Sequence, residues 1–330
     1  MDIVFCINEN YLMPCGVLMT SILYTNSKTK ITFHVISEKL SIKAKEKLQS
    51  VVAGHSAATI QFYYFEGNLL EKLPKCDYPG IATYIRIFIP HILPKSIQKV
   101  LYLDCDMIVI DTLEPLWNTN IEQYSAAAAM DFAYNDIRQF NRLGYTPNDG
   151  YYNAGMLLIN LDYWRNNTIS EKLLEFARTN PEKCLYADQD MLNKVLAGTW
   201  KKIPSQYNCM TPHFYIAVDK WFIQTKYWDE VFYARENPVI IHFSALLKPW
   251  HIEYDIPLKK TWLFFKRLTL WKNDKDYHVY YGVTLLKFKL KNFLINTNCI
   301  KDTNYLSVDI NFDLKIMIDT IITKLRTNFI

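Results

Sequence analysis

Four short apolar runs, Ile3–Ile7, Ile31–Ile36, Thr59–Tyr64 and Lys99–Leu103, alternate with segments of helical period around Cys15–Tyr24 and Ser41–Val52. Runs of this length read as buried strands, and strands joined through helices lie parallel, since a parallel connection needs a crossover of about a dozen residues or more. The βαβα order therefore specifies an α/β chain with a mostly parallel central sheet. Ser41 is placed as the N-cap of the second helix. Further along, Ser125–Met130, Met156–Leu161 and Val239–Phe243 read as strands, and Ser170–Arg178 and Asp188–Leu196 as helices. Between them Asp131–Asn148 is polar, aromatic and irregular, as expected of a mobile loop over a site. At 330 residues, half of them apolar, the chain can bury a large core.

Within the run Val100–Ile110 two carboxylates, Asp104 and Asp106, stand two residues apart. On a strand, residues at that spacing share a face, so both can approach one cation while Cys105 points away. Oxygen ligands suit hard divalent ions, Mg²⁺ or Mn²⁺. The pattern alone is weak, because it recurs at Asp188–Asp190 and Asp274–Asp276, and a solvated strand end is the plain alternative. Position singles out the first pair: open α/β sheets bind ligands outside the carboxyl ends of their strands. There is no glycine-rich phosphate loop after the first strand and no Walker lysine loop. A bound nucleotide diphosphate would need another source of positive charge, and a cation on Asp104 and Asp106 supplies one.

The seven cysteines are scattered and never spaced Cys-x-x-Cys, which argues against a disulfide framework or a zinc knuckle and for a reducing compartment. The N-terminus reads as a first strand without signal-peptide features, and no apolar stretch reaches the ~18 residues of a membrane span. A cytoplasmic protein is expected, free or peripheral on the inner face of the cytoplasmic membrane. The Asn166-Asn167-Thr168 sequon is then chemically silent. From Lys259 onward 13 Lys and Arg face 6 Asp and Glu, which leaves residues 1–258 net acidic in a chain of net charge +4. Trp262–Lys272 and Leu285–Leu294 interleave aromatic or aliphatic with basic residues, a composition suited to an anionic lipid surface or to a cationic element packed on the main domain. No nucleic-acid module accompanies it, so nucleic acid is not an expected partner. Pro257 and the onset of this basic stretch mark a boundary between a catalytic domain, 1–257, and a C-terminal region, 258–330.

Four segments in order, Tyr102-Leu103-Asp104-Cys105-Asp106, Tyr152-Asn153-Ala154-Gly155-Met156, Tyr186-Ala187-Asp188-Gln189-Asp190 and His242-Phe243-Ser244 through Lys248-Pro249-Trp250, resemble glycosyltransferase family 8. The resemblance covers roughly residues 1 to 255 and is nearest the bacterial lipopolysaccharide and lipooligosaccharide galactosyl- and glucosyltransferases. It implies a GT-A fold, the Rossmann-like fold of nucleotide-diphospho-sugar transferases, with a basic C-terminal appendage. It further implies a Mn²⁺-dependent retaining hexosyltransferase, with Mg²⁺ as the alternative ion, acting between a UDP-hexose donor and a saccharide or glycolipid acceptor. Position by position, Asp104, Asp106 and His242 would hold the metal, with the Asp104-Cys105 corner against the nucleotide. Asn8, Asn10 and Tyr11 would hold uracil and ribose, and Arg86 and Lys248 the diphosphate. Asp131, Asn153 and Asp188 would read the sugar hydroxyls, with Gln189 beneath the anomeric carbon. Asn8 and Ala245 depart from the family pattern, which has Asp and Gly there.

Retention by double displacement needs a nucleophile, normally a carboxylate, at the anomeric carbon. With Gln189 in that place the expected route is a front-face reaction, the alternative being a covalent intermediate on Asp188 or Asp190. Two other functions compete: a sugar-nucleotide-binding protein with weakened catalysis, and a phosphohydrolase using Asp104 as nucleophile.

Overall fold

The computed structural model of the chain describes residues 1–67, 82–132, 136–215, 228–244, 246–254, 256–296 and 314–328. Ala245 lies outside the described residues. The strands are β1 (Asp2–Cys6), β2 (Ile31–Ser37), β3 (Ala58–Tyr64), β4 (Lys99–Leu103), β5 (Met107–Val109), β6 (Ala126–Ala128), β7 (Met156–Asn160), β8 (Lys201–Lys202), β9 (Cys209–Met210) and β10 (Ile240–His242). Seven form one sheet in the order β3-β2-β1-β4-β7-β6-β8, and β5, β10 and β9 form a second. The first four pair in parallel, as the βαβα order requires, whereas β7 runs antiparallel to both β4 and β6. The expected α/β architecture with a mostly parallel sheet is therefore present.

Alternation along β1 builds the core on both faces. Ile3 and Phe5 pack with Cys15, Leu18 and Ile22 of the helix Leu12–Thr25, and Val4 packs with Tyr102, Met191 and Leu192 on the opposite side. Ser41 caps the helix Ile42–Val52, accepting from the Ala44 N–H at 3.2 Å.

Two expectations are corrected. The strand Lys99–Leu103 is present as β4, but the aspartates are not on a strand: Asp104, Cys105 and Asp106 form the bend that leads from β4 to β5 in the second sheet. The apolar residues on either side of the aspartates show no change of period that would mark such a change of sheet. The stretch 131–148 is not wholly irregular: it holds a helix, Ile137–Leu143, whose N-cap Asp136 accepts from the Arg138 N–H at 3.0 Å and which ends on Gly144 with φ of 69°. A left-handed residue at that place favours glycine, and Asp136 with Gly144 is a start-and-stop pair the sequence does carry.

After residue 257 the chain continues into the core. Trp262 and Phe265 of the helix Lys259–Lys266 join Ile241, Phe243 and Trp250, and Ile318 and Leu325 of the helix Leu314–Asn328 pack against them. The helix Gly282–Asn296 instead exposes Leu286, Leu290 and Phe293, at a spacing that aligns them on one side. Among the described residues no helix is long and apolar enough to cross a membrane.

Candidate active site and metal centre

The site lies at the carboxyl ends of β1 and β4, where the two sheets meet. Register assembles it: the Asp104 N–H donates to the Gly155 carbonyl at 2.8 Å, and the Phe243 N–H donates to the Asp106 carbonyl at 2.8 Å, so Gly155 and His242 are brought beside the two aspartates by backbone alone. One ligand atom from each of Asp104, Asp106 and His242 then falls within 4.8 Å of the others. Gly155 makes the space. A Cβ there would lie 2.6 Å from the His242 ring, 2.9 Å from Asp104 Oδ2 and 3.0 Å from Asn153 Oδ1.

The three side chains fit a divalent cation. Asp106 Oδ1 is buried without a hydrogen bond, 3.3 Å from His242 Nε2. A buried unsatisfied acceptor is costly, and a cation between oxygen and imidazole would satisfy it. Burial alone would push the Asp106 carboxyl up, but Lys248 and His242, by charge and hydrogen bonding together, outweigh it and hold the group below the usual carboxylate range. Asp106 is thus charged, as a ligand must be. Two carboxylates and an imidazole form a donor set suited to Mn²⁺.

Around this corner the other expected residues fall into groups. Arg86 sits on the 3₁₀ turn Arg86–Phe88, nearly fully buried, with Nη2 3.0 Å from Asp104 Oδ1 and Nε 2.7 Å from Asp188 Oδ2. Its guanidinium also stacks over the Tyr102 ring at 4.4 Å, and the Tyr102 hydroxyl donates to Asp104 Oδ1 at 2.5 Å. Burial pushes the Asp188 carboxyl up to about 7 although Arg86 pulls it down. Lys248 Nζ lies 2.5 Å from Asp106 Oδ2 and donates to the Phe243 carbonyl at 3.0 Å, on the rim of the metal corner. Tyr11 stands edge-on to Trp250, 5.9 Å between centroids. Asn8 and Asn10 are exposed, joined by the Asn10 N–H donating to Asn8 Oδ1 at 3.0 Å. Cys105 turns its thiol into the core beside Cys15 and brings only backbone to the site.

The second group is a network of amides. Asn153 Nδ2 donates to Asp131 Oδ2 at 3.0 Å and to Gln189 Oε1 at 3.2 Å, while Gln189 Nε2 reaches Asp131 Oδ2 and the Tyr151 hydroxyl, each at 3.3 Å. Asp131, Asn153 and Gln189 therefore converge, and of the three consecutive residues Asp188, Gln189 and Asp190 only Gln189 is part-exposed.

Asp190 lies behind this network with no exposed surface. Its oxygens accept from Arg142 Nη1 and Nη2 at 2.7 and 2.9 Å, from the Tyr151 hydroxyl at 2.8 Å and from the Tyr186 N–H at 2.7 Å. Holding Tyr186 braces the turn that follows, where Ala187 has φ of 52°, a conformation that costs a non-glycine residue on the order of 1 kcal/mol. Asp188 and Gln189 are aimed by that turn.

Asn208, Tyr151 and Arg142 were not marked by the sequence. Asn208 accepts from His242 Nδ1 at 2.9 Å and donates to Asn153 Oδ1 at 2.9 Å. It stands in a run, Ser205–Asn208, with no motif or period to signal it.

The profile of Glycosyl transferase family 8 matches residues 2–253. The chain is 27% identical to General stress protein A of Bacillus subtilis, over 82% of this chain and 94% of that protein. It is 26% identical to the lipopolysaccharide 1,3-galactosyltransferase of Salmonella typhimurium, over 82% of this chain and 79% of that one. It is likewise 28% identical to the lipopolysaccharide glucosyltransferase WaaO of Escherichia coli, over 83% and 79%. Among solved structures it is similar to the galactosyltransferase LgtC in complex with donor and acceptor sugar analogues, with a TM-score of 0.73 and 26% identity over 82% of this chain and 96% of that chain.

Proposed function

The chain belongs to glycosyl transferase family 8, and on that premise we propose that it is a Mn²⁺-dependent retaining hexosyltransferase that moves galactose or glucose from a UDP-sugar to a sugar hydroxyl of a bacterial lipopolysaccharide-type glycolipid. The observation that carries the reading is the meeting of the Asp104, Asp106 and His242 ligand set with the converging Asp131, Asn153 and Gln189 side chains. The first suits a diphosphate-bound metal and the second a ring of hydroxyls. The names of the relatives, glucosyl- and galactosyltransferases of lipopolysaccharide, support the acceptor class.

A metal held by Asp104, Asp106 and His242 would supply positive charge against that developing on the departing diphosphate. Lys248, on the rim beside Asp106, adds an ammonium to the same charge, and Arg86 holds Asp104 and Asp188 in one orientation. In the transfer the bond from the anomeric carbon to the phosphate oxygen breaks, the acceptor oxygen bonds that carbon from the same face, and the acceptor proton passes to the departing phosphate oxygen. Gln189, tied to Asn153 and the Ala154 N–H, presents a neutral amide dipole to the pocket rather than a nucleophilic carboxylate. Asp190 would have to leave four hydrogen bonds to act as a nucleophile, which favours the front-face route. Trapping a glycosyl adduct on Asp188 or Asp190, read by intact-protein mass spectrometry, would overturn that route.

The acceptor's setting follows from the same proposal: the enzyme works at the inner leaflet of the cytoplasmic membrane. Its support is the helix Gly282–Asn296, whose exposed Leu286, Leu290 and Phe293 accompany exposed Lys287 and Lys289. Co-sedimentation with anionic but not zwitterionic vesicles tests it. The donor is tested by thermal stabilisation across UDP-sugars in Mn²⁺: UDP-galactose or UDP-glucose should raise the melting temperature, and no shift with any UDP-hexose would contradict the function.

A further inference from the structure

Two backbone N–H groups fix the direction of every amide in the pocket. The Gly155 N–H donates to one end of the Asn153 side chain and the Ala154 N–H to one end of the Gln189 side chain, each at 3.0 Å. A backbone N–H can only donate, so those ends are the oxygens. Asn153 Oδ1 accepts a second bond, at 2.9 Å, from Asn208, whose facing atom must then be its nitrogen. The oxygen of Asn208 therefore faces His242 Nδ1 at 2.9 Å. A carbonyl oxygen only accepts, so Nδ1 carries a proton, which leaves Nε2 as the ring nitrogen that would ligate a cation at the corner shared with Asp106.

Asn208 has no exposed surface, and its place is set by backbone: it closes the turn Ser205–Asn208 immediately before β9, which pairs with β10 so that Cys209 lies opposite Ile241. One amide thus spans the gap between a metal ligand and a residue that faces the donor sugar. We propose that Asn208 is a positioning residue that couples the metal centre to donor-hexose recognition. Its oxygen selects the ligating tautomer of His242, and its nitrogen turns the Asn153 amide so that the donating end meets Asp131, Gln189 and the sugar. The inference rests on the function proposed above.

Calorimetric titration of the full chain with Mn²⁺ and UDP, and then with Mn²⁺ and UDP-galactose or UDP-glucose, separates the two arms, because UDP carries no hexose. Asn208→Leu removes both bonds and should weaken Mn²⁺–UDP binding by about 10- to 100-fold, the range for loss of a ligand's supporting hydrogen bond. Asn208→Asp keeps the acceptor for His242 but sets a carboxylate oxygen against Asn153 Oδ1. It should hold Mn²⁺–UDP affinity within about threefold while the parental preference between the two hexoses falls by about tenfold or more, as buried polar mispairing dictates. Asn208→Ser, too short for either partner, replaces the leucine variant if that one fails to fold.

An Asn208→Leu or Asn208→Ser variant with the parental melting temperature that binds Mn²⁺–UDP as the parent does would overturn the metal arm. Unchanged hexose preference in Asn208→Asp would overturn the sugar arm. A parent chain that binds neither UDP nor a UDP-hexose in Mn²⁺ would instead overturn the function on which the inference rests.

Discussion

Arg142 closes on Asp190 with both terminal nitrogens, 2.7 and 2.9 Å from the two carboxylate oxygens, and the carboxylate has no exposed surface. The pair ties the helix Ile137–Leu143 to the helix Ala187–Val195, which carries Asp188 and Gln189. Removing one partner of a buried pair strands the other charge. Asp190→Asn and Arg142→Met should each lower unfolding free energy by about 3 kcal/mol, and the double variant should lose clearly less than the sum. Urea unfolding of the three variants measures this, and simple additivity would mean that the two side chains do not act as a pair.

Gly155 sits where β7 begins, and any Cβ on it meets His242, Asp104 and Asn153 at 3.0 Å or less. Gly155→Ala must therefore displace His242, Asp104 or Asn153. A displacement of this kind costs activity by about 100-fold or more while leaving the sheet intact. Donor turnover measured beside the far-ultraviolet dichroism spectrum checks both halves; a fully active, normally folded variant would show that the three groups need not stay so close.

Asp104, Asp106 and His242 were legible in the sequence because their residue types and order are themselves the signal, and the short apolar runs of β1 to β4 declare strands by length. Asn208 was not, since an asparagine that bonds two side chains far away in sequence leaves no local trace. The bend at Asp104–Asp106 was hidden for a related reason: both strands are buried on both faces where they flank it, so no change of period marks the passage from one sheet to the other. The helix Ile137–Leu143 carried its caps, Asp136 and Gly144, but its polar surface masked them. Asp190 matched the family motif in type, while its withdrawal behind Gln189 depends on Arg142 and Tyr151, which only the fold brings near.

His213 is buried, accepts from the Met210 N–H at 3.3 Å, and faces Glu230 and His242. Burial lowers its pKa to about 4, with His242 acting the same way and Glu230 against. The folded imidazole is thus harder to protonate than the unfolded one, which titrates near 6.5. Its contribution is fully present above about pH 6.5 and is lost as pH falls toward 4, on the order of 3 kcal/mol in all. Urea unfolding across that window should show a steeper loss for the parent chain than for His213→Gln. Equal slopes would mean that His213 does not report the burial seen here.

The most direct test of the proposed function is UDP release from UDP-galactose and UDP-glucose, with and without Mn²⁺, by the parent chain and by Asp106→Ala. Asp106 holds the buried, unsatisfied oxygen that the metal would complete. Turnover of at least one of the two donors that requires Mn²⁺ and falls by about 1,000-fold or more in Asp106→Ala is the expected result, since metal stabilisation of a leaving group supplies several kcal/mol. Turnover indifferent to both Mn²⁺ and Asp106, or none with either donor, would contradict it.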